Sequence, residues 1–259
     1  MLRPRIIPCL LVRDKGLVKT VGFSASKYVG DPINAVRIFN EKGADELIVL
    51  DIDATVRGHE PDYRMIENFA IESRMPLCYG GGVKTVEQVK TIIGLGVEKV
   101  AISSAAINNP KLIMEMAEAV GRQSVVIVLD VKAQRGGKYE VWTHNGCVNV
   151  GRSPVEVAIE LERLGVGEIV LNSIDNDGQM KGYDFAIVEQ IRSVINVPLT
   201  VLGGAGSLKD IGELIKRFGV IGAAAGSLFV FKGVYRAVLI NYPNAAERDQ
   251  LFLEYLNKA

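Results

Sequence analysis

Cysteine and histidine are scarce in this chain of 259 residues, with three of the first and two of the second. Cys9, Cys78 and Cys147 are too few, too far apart and odd in number for a disulfide framework, which points to a reducing compartment. No Cys-x-x-Cys pair occurs, and His59 and His144 are the only imidazoles, so no Cys/His metal site is expected. Surplus charge is also missing, because 30 Lys and Arg balance 30 Asp and Glu. A nucleic-acid binder needs a basic excess, and an acidic disordered chain a negative one. The longest apolar stretch, Gly219 to Phe231, is too short and too glycine-rich to span a bilayer. The opening residues, Met1-Leu2-Arg3-Pro4-Arg5, carry no apolar leader core. These absences predict a soluble, cytoplasmic protein with no membrane segment, nucleic-acid partner, metal or organic cofactor.

What is present is a repeat. Short apolar runs, typical of strands buried on both faces, begin near Ile6, Leu47, Leu77, Val97, Val125, Ile169, Leu199 and Val220. The last four restate the first four at offsets of 119, 122, 122 and 123 residues. Residue matches hold the register: Pro76-Leu77 then Gly81-Gly82 resembles Pro198-Leu199 then Gly203-Gly204, and Ser104 matches Ser227. Helical patterns lie between the runs. Asp31-Pro32, Asn109-Pro110 and Ser153-Pro154 each open one, and Val83 to Leu95 and Ser207 to Phe218 form a related pair. Lys138 to Val148 alternates around Asn145-Gly146 and predicts an inserted β-hairpin. Eight strand–helix alternations predict a (β/α)8 TIM barrel built from two similar half-barrels. No linker divides the chain, so one domain is expected over 1–259, with halves of about 1–121 and 122–259. An open doubly wound sheet is the alternative, but no Gly-x-Gly-x-x-Gly fingerprint is present.

In such a barrel, chemistry sits at the carboxyl ends of the strands. Two glycine-rich sets fall there: Gly81-Gly82 with Ser103-Ser104, and Gly203-Gly204 with Gly226-Ser227, with Gly178 in the loop after run six. Exposed backbone N–H groups and hydroxyls cradle anions, so two symmetry-related sets predict a phosphorylated small molecule with a phosphate at each end. The plainer alternative for any one pair is a tight turn. Asp130 ends run five, where burial would raise its pKa and suit it to acid–base work. Its counterpart in the first half is Leu11, which has no proton to exchange. Asp51 ends run two, while Asp53, Asp175 and Asp177 lie in loops, Asp53 and Asp175 being read as turn residues. At the opposite rim stand Arg5, Glu46, Lys99 and Glu168, which predict a ring of alternating charge across the barrel floor. A purely structural salt-bridge cluster is the alternative there.

Taken together, Arg5-Ile6-Ile7-Pro8-Cys9-Leu10, Asp31-Pro32, Asp45-Glu46-Leu47, Gly80-Gly81-Gly82, Asn172-Ser173-Ile174-Asp175-Asn176-Asp177-Gly178 and Gly203-Gly204-Ala205-Gly206 resemble HisF, the cyclase subunit of imidazole glycerol phosphate synthase. The resemblance covers essentially the whole chain. It implies that a HisH-like glutaminase docks at the barrel floor and that ammonia passes a charged gate of Arg5, Glu46, Lys99 and Glu168. It implies phosphate sites at both glycine sets, a mobile substrate loop carrying Lys19, further substrate contacts at Asp51 and Asp177, and Asp130 as one of two catalytic carboxylates. The other carboxylate is replaced by Leu11. Smaller departures are Thr20 after Lys19, Leu202 where a Ser precedes the second glycine pair, and Ser103 in place of Asn.

This pattern resembles a HisF paralogue of the WbuZ type, which implies a role with an N-acetyl sugar amidotransferase in surface-polysaccharide synthesis. Three readings stay open at this level. One is an ammonia-conducting barrel without the cyclase reaction. Another is a working cyclase in which Asp51 or Asp14 replaces the missing acid. The third is a sugar-phosphate-binding scaffold without turnover.

Overall fold

A computed structural model describes residues 3–256. Met1 and Leu2, which belong to the segment read for a leader, lie outside the described residues.

Eight parallel strands close on themselves: β1 (Arg5–Arg13), β2 (Leu47–Asp51), β3 (Leu77–Gly80), β4 (Lys99–Ile102), β5 (Val125–Ala133), β6 (Glu168–Ser173), β7 (Leu199–Leu202) and β8 (Gly222–Ala225). Each pairs with its sequence neighbours, and β1 pairs with β8, from Arg5 beside Gly222 to Pro8 beside Ala225. The half-barrels meet again at β4 and β5, in register from Val100 beside Val125 to Ile102 beside Ile127. The expected barrel is therefore the observed one. Strands β4 and β8 start two residues later than the apolar runs, because Val97 and Val220 lie in the loops before them.

The continuous apolar runs are explained by two separate cores. Alternate residues such as Ile7, Cys9, Leu11, Ile48, Cys78, Val126, Val128, Val170 and Ala224 fill the barrel interior. Their neighbours, among them Ile6, Leu10, Leu47, Val49, Leu77, Ile127, Ile169 and Val201, face the outer helices. Burying one such side chain stabilises the fold by about 1.5–3 kcal/mol, so a strand wet on either face would forfeit half of that gain.

The outer helices are α1 (Pro32–Glu41), α2 (Tyr63–Glu72), α3 (Val86–Gly94), α4 (Lys111–Val120), α5 (Pro154–Arg163), α6 (Phe185–Arg192), α7 (Leu208–Phe218) and α8 (Ala245–Leu256). The Asp31 carboxylate accepts from the Asn34 N–H at 2.7 Å and fixes the start of α1. Helix α3 begins at Val86 rather than Val83 because Thr85 and Gln88 form a capping box, repeated by Ser207 and Asp210 on α7. Among the described residues, no helix is long and apolar enough to cross a membrane.

The predicted hairpin after β5 is present as strands Tyr139–Thr143 and Val148–Asn149. A second hairpin, Gly16–Val21 with Ser24–Gly30, extends antiparallel from β1. Both hairpins rise at the carboxyl ends of the strands, where they wall the mouth.

Candidate functional site

The barrel mouth gathers residues from all eight strand ends. Leu11, Lys19, Asp51, Gly81, Gly82, Ser103, Ser104, Asp130, Asp177, Gly178, Gly203, Gly204, Gly226 and Ser227 all line one pocket. The two glycine sets face it from opposite halves of the barrel. Their glycines are required by packing as well as by any ligand. A Cβ on Gly81 would fall 2.5 Å from the Asp51 carbonyl oxygen, and one on Gly204 would fall 2.0 Å from that of Gly182. Each set ends in a short helix, Ser104–Asn108 in the first half and Ser227–Val230 in the second.

Asp130 lies on β5 three residues before its end, and it lines the mouth. Asn172, its register partner on β6, donates from Nδ2 to Asp130 Oδ1 at 2.8 Å. Burial pushes the Asp130 carboxyl up to about 7, against the pull of that hydrogen bond and with a push from the Asp177 charge. Leu11 stands at the same mouth, 9% exposed, in the apolar cluster with Cys9, Val128 and Leu202. Asp51 is pushed upward by burial, although its carboxylate accepts from the N–H groups of Asp53 and Ala54, both at 3.2 Å. Asp14 does not reach the mouth, because its exposed carboxylate pairs with Arg57. That removes it as a replacement for the missing acid. Asp53 and Asp175, expected as turn residues, engage other groups of the chain. Asp53 pairs with Arg13 and Arg57, both at 2.8 Å, and Asp175 accepts from the Ala133 N–H at 2.8 Å.

Lys19 is a correction. It lies on the hairpin strand Gly16–Val21, not on a loop, and it is buried. Its Nζ donates to the Cys9 carbonyl at 3.0 Å. Burial lowers its pKa, opposed by the negative potential of Cys9 and Asp177. A Cβ on Gly226 would fall 1.9 Å from Nζ, so the ammonium rests against the second glycine set. The departure at Thr20 has a local role, since its hydroxyl donates to Asp177 Oδ2 at 2.7 Å and ties the hairpin to the loop after β6.

At the other end of the interior, Arg5, Glu46, Lys99 and Glu168 close a ring. Arg5 bonds Glu46, and it reaches Glu168 at 2.7 Å. Lys99 bonds Glu46 at 2.7 Å and Glu168 at 2.8 Å. Burial works against the Glu168 charge, yet Arg5 and Lys99 hold its carboxyl down at about 2. Thr200, which the sequence reading passed over, donates to Glu168 Oε1 at 2.5 Å and completes this layer. Asn172 was missed as a site residue in the same way. The signal for both is a polar residue interrupting an apolar run on a strand buried on both faces. His144, Asn145 and Phe23 also line the mouth, all with positive φ, and nothing in their spacing announces it.

No group of three or more His, Cys, Asp or Glu suited to a metal occurs among the described residues.

The histidine biosynthesis protein family matches residues 5–236. The chain is 59% identical, over 251 residues and 96% of both chains, to a provisionally named imidazole glycerol phosphate synthase subunit hisF3 of Vibrio vulnificus. It is 56% identical, over 97% of its length and 100% of the relative, to a provisionally named HisF subunit of Leptospira borgpetersenii. It is 40% identical to the imidazole glycerol phosphate synthase subunit HisF of Exiguobacterium sibiricum, over 88% of this chain and 91% of the relative. Fold, doubled site and matched length agree, and the chain belongs to the histidine biosynthesis protein family as a HisF-like barrel.

Proposed function

We propose that this chain is a synthase-type subunit that receives ammonia from a HisH-like glutaminase at its floor and delivers it at its mouth, without carrying out the cyclase reaction efficiently. The observation that carries this reading is Leu11, which lines the mouth where the HisF pattern has a catalytic acid, above an intact ring of Arg5, Glu46, Lys99 and Glu168. Between ring and mouth the interior is lined by side chains such as Ile7, Ile48, Val126, Val170 and Ala224. An apolar column of this kind suits a small neutral amine, because a desolvated ammonium ion would bear a large cost there.

Cyclisation needs protons moved at two places. Asp130, titrating at about 7, serves as a donor or an acceptor near neutrality, but as one group. The two glycine sets support a phosphorylated ligand at the mouth, with Lys19 lying against the second. The acceptor we favour is an N-acetyl sugar, amidated by a separate amidotransferase in lipopolysaccharide or O-antigen synthesis, as the likeness to the WbuZ type implies. The named relatives supply the competing reading of an imidazole glycerol phosphate synthase subunit with cyclase activity. Its support is that Asp51 and Asp177 share the mouth with Asp130.

One assay separates the two. The purified chain is incubated with the bis-phosphorylated aminoimidazole ribonucleotide precursor and ammonium salt, alongside Leu11→Asp. Wild-type turnover roughly 10²–10⁴-fold below that of the Leu11→Asp variant is expected. Robust wild-type cyclisation sinks the proposal.

A further inference from the structure

We propose that Asn172 is the positioning residue for Asp130, and that its side-chain amide turns over as Asp130 gains or loses its proton. Three geometric observations carry this. Asn172 is 5% exposed, and its Nδ2 holds Asp130 Oδ1 at 2.8 Å. Its Oδ1 is buried without a hydrogen-bond partner. That oxygen stands against Gly203 in close packing, since a Cβ there would lie 3.3 Å from it and 2.6 Å from the Ser173 carbonyl oxygen.

A buried acceptor without a donor is costly. With Asp130 ionised the cost stands, because the carboxylate accepts only and must be faced by Nδ2. With Asp130 protonated, the carboxyl O–H becomes a donor. Half a turn of the amide then lets Oδ1 accept that proton, while Nδ2 takes the place against Gly203 that Oδ1 had held. Each protonation state thus selects one amide orientation. The proton exchanged is the one on the Asp130 carboxyl, and no other bond changes.

The neighbouring ionisable groups leave this task to Asn172. Asp177, from the loop after β6, adds negative potential at Asp130. Cys9 on β1 is a thiol pushed up to about 11 by burial, and Lys19 on the hairpin is engaged by the Cys9 carbonyl. Leu11 and Leu202, on β1 and β7, bring no charge. The inference does not rest on the ammonia reading, and its test uses the isolated chain, so the two fail separately.

The test follows the Asp130 carboxyl carbon and the Asn172 side-chain amide by NMR between pH 5 and 9. Both signals are expected to titrate with one midpoint. In Asn172→Leu the midpoint rises by roughly one pH unit, because the ionised state loses a charge-assisted bond and the protonated state only a neutral one. Asn172→Thr, whose hydroxyl both donates and accepts, brings the midpoint back toward wild type and covers the case in which the leucine variant does not fold. An Asn172 amide that is silent through the Asp130 transition overturns the proposal. So does a folded leucine variant with an unmoved midpoint.

Discussion

Asp130 is a carboxylate whose surroundings oppose its charge, and this has a consequence for stability. Its folded-state pKa is raised from 3.8 to about 7, so the folded chain holds a proton that the unfolded chain has already released. Stability attributable to this group falls as pH rises from about 4 to about 7, and the full cost persists above. Asp130→Asn removes that cost. The variant is expected to be more stable than wild type at pH 8, by on the order of a few kcal/mol, and no more stable at pH 3.5. Thermal unfolding of both proteins across this range checks it, and a pH-independent difference refutes it. Leu11 shows why residue identity matters here: a second carboxylate at its place would add repulsion as well as a proton.

At the scale of elements, the hairpin Gly16–Val21 with Ser24–Gly30 is the piece that turns an open barrel end into a walled site. Gly22 and Phe23 turn it with φ of 57° and 61°, and Asp177 accepts from the Phe23 N–H at 3.2 Å. Lys19 seats it from within. Gly226 has an ordinary negative φ of −104°, so an alanine there suits the backbone and conflicts chiefly with the flexible end of Lys19. Gly226→Ala is expected to fold normally while expelling the Lys19 ammonium from the Cys9 carbonyl. Amine-labelling mass spectrometry should find Lys19 modified on the order of tenfold faster, as expected for a group returned to water. Unchanged labelling would mean that Lys19 is held by something other than this seat. Gly81 and Gly204 are different, since their positive φ and backbone neighbours leave an added Cβ no room.

Across the whole molecule, the ring joins both halves of the barrel, with Arg5, Lys99 and Glu168 on β1, β4 and β6 and Glu46 just before β2. Glu46 and Glu168 are almost fully buried, while Arg5 and Lys99 keep side-chain exposures of 27% and 18%. Removing one cation leaves two buried carboxylates with a single partner, which is the damaging way to break such a cluster. Lys99→Met is expected to destabilise the fold by about 2 kcal/mol, the figure being discounted for that exposure. In a mixture with a HisH-like glutaminase, wild type should form a complex and stimulate glutamine hydrolysis, and Lys99→Met should weaken delivery of ammonia to the mouth more than it weakens docking. The ratio of glutamine hydrolysed to ammonia emerging at the mouth measures this. Absence of both complex and stimulation would refute the docking reading.

The barrel, most of the helix starts to within a few residues, and the positions of Asp130, Leu11 and the four ring charges were legible in the chain itself. Strand burial on two faces and helix capping are local rules, and they leave a periodic trace. Which side chains meet was not legible. Lys19 on a strand against Gly226, Asp14 drawn away by Arg57, and Asn172 holding Asp130 all depend on contacts between segments far apart in sequence. Thr200 completing the ring belongs with them. Such contacts follow from barrel closure, which brings residues into one layer regardless of their separation along the chain, so only the folded molecule decides them.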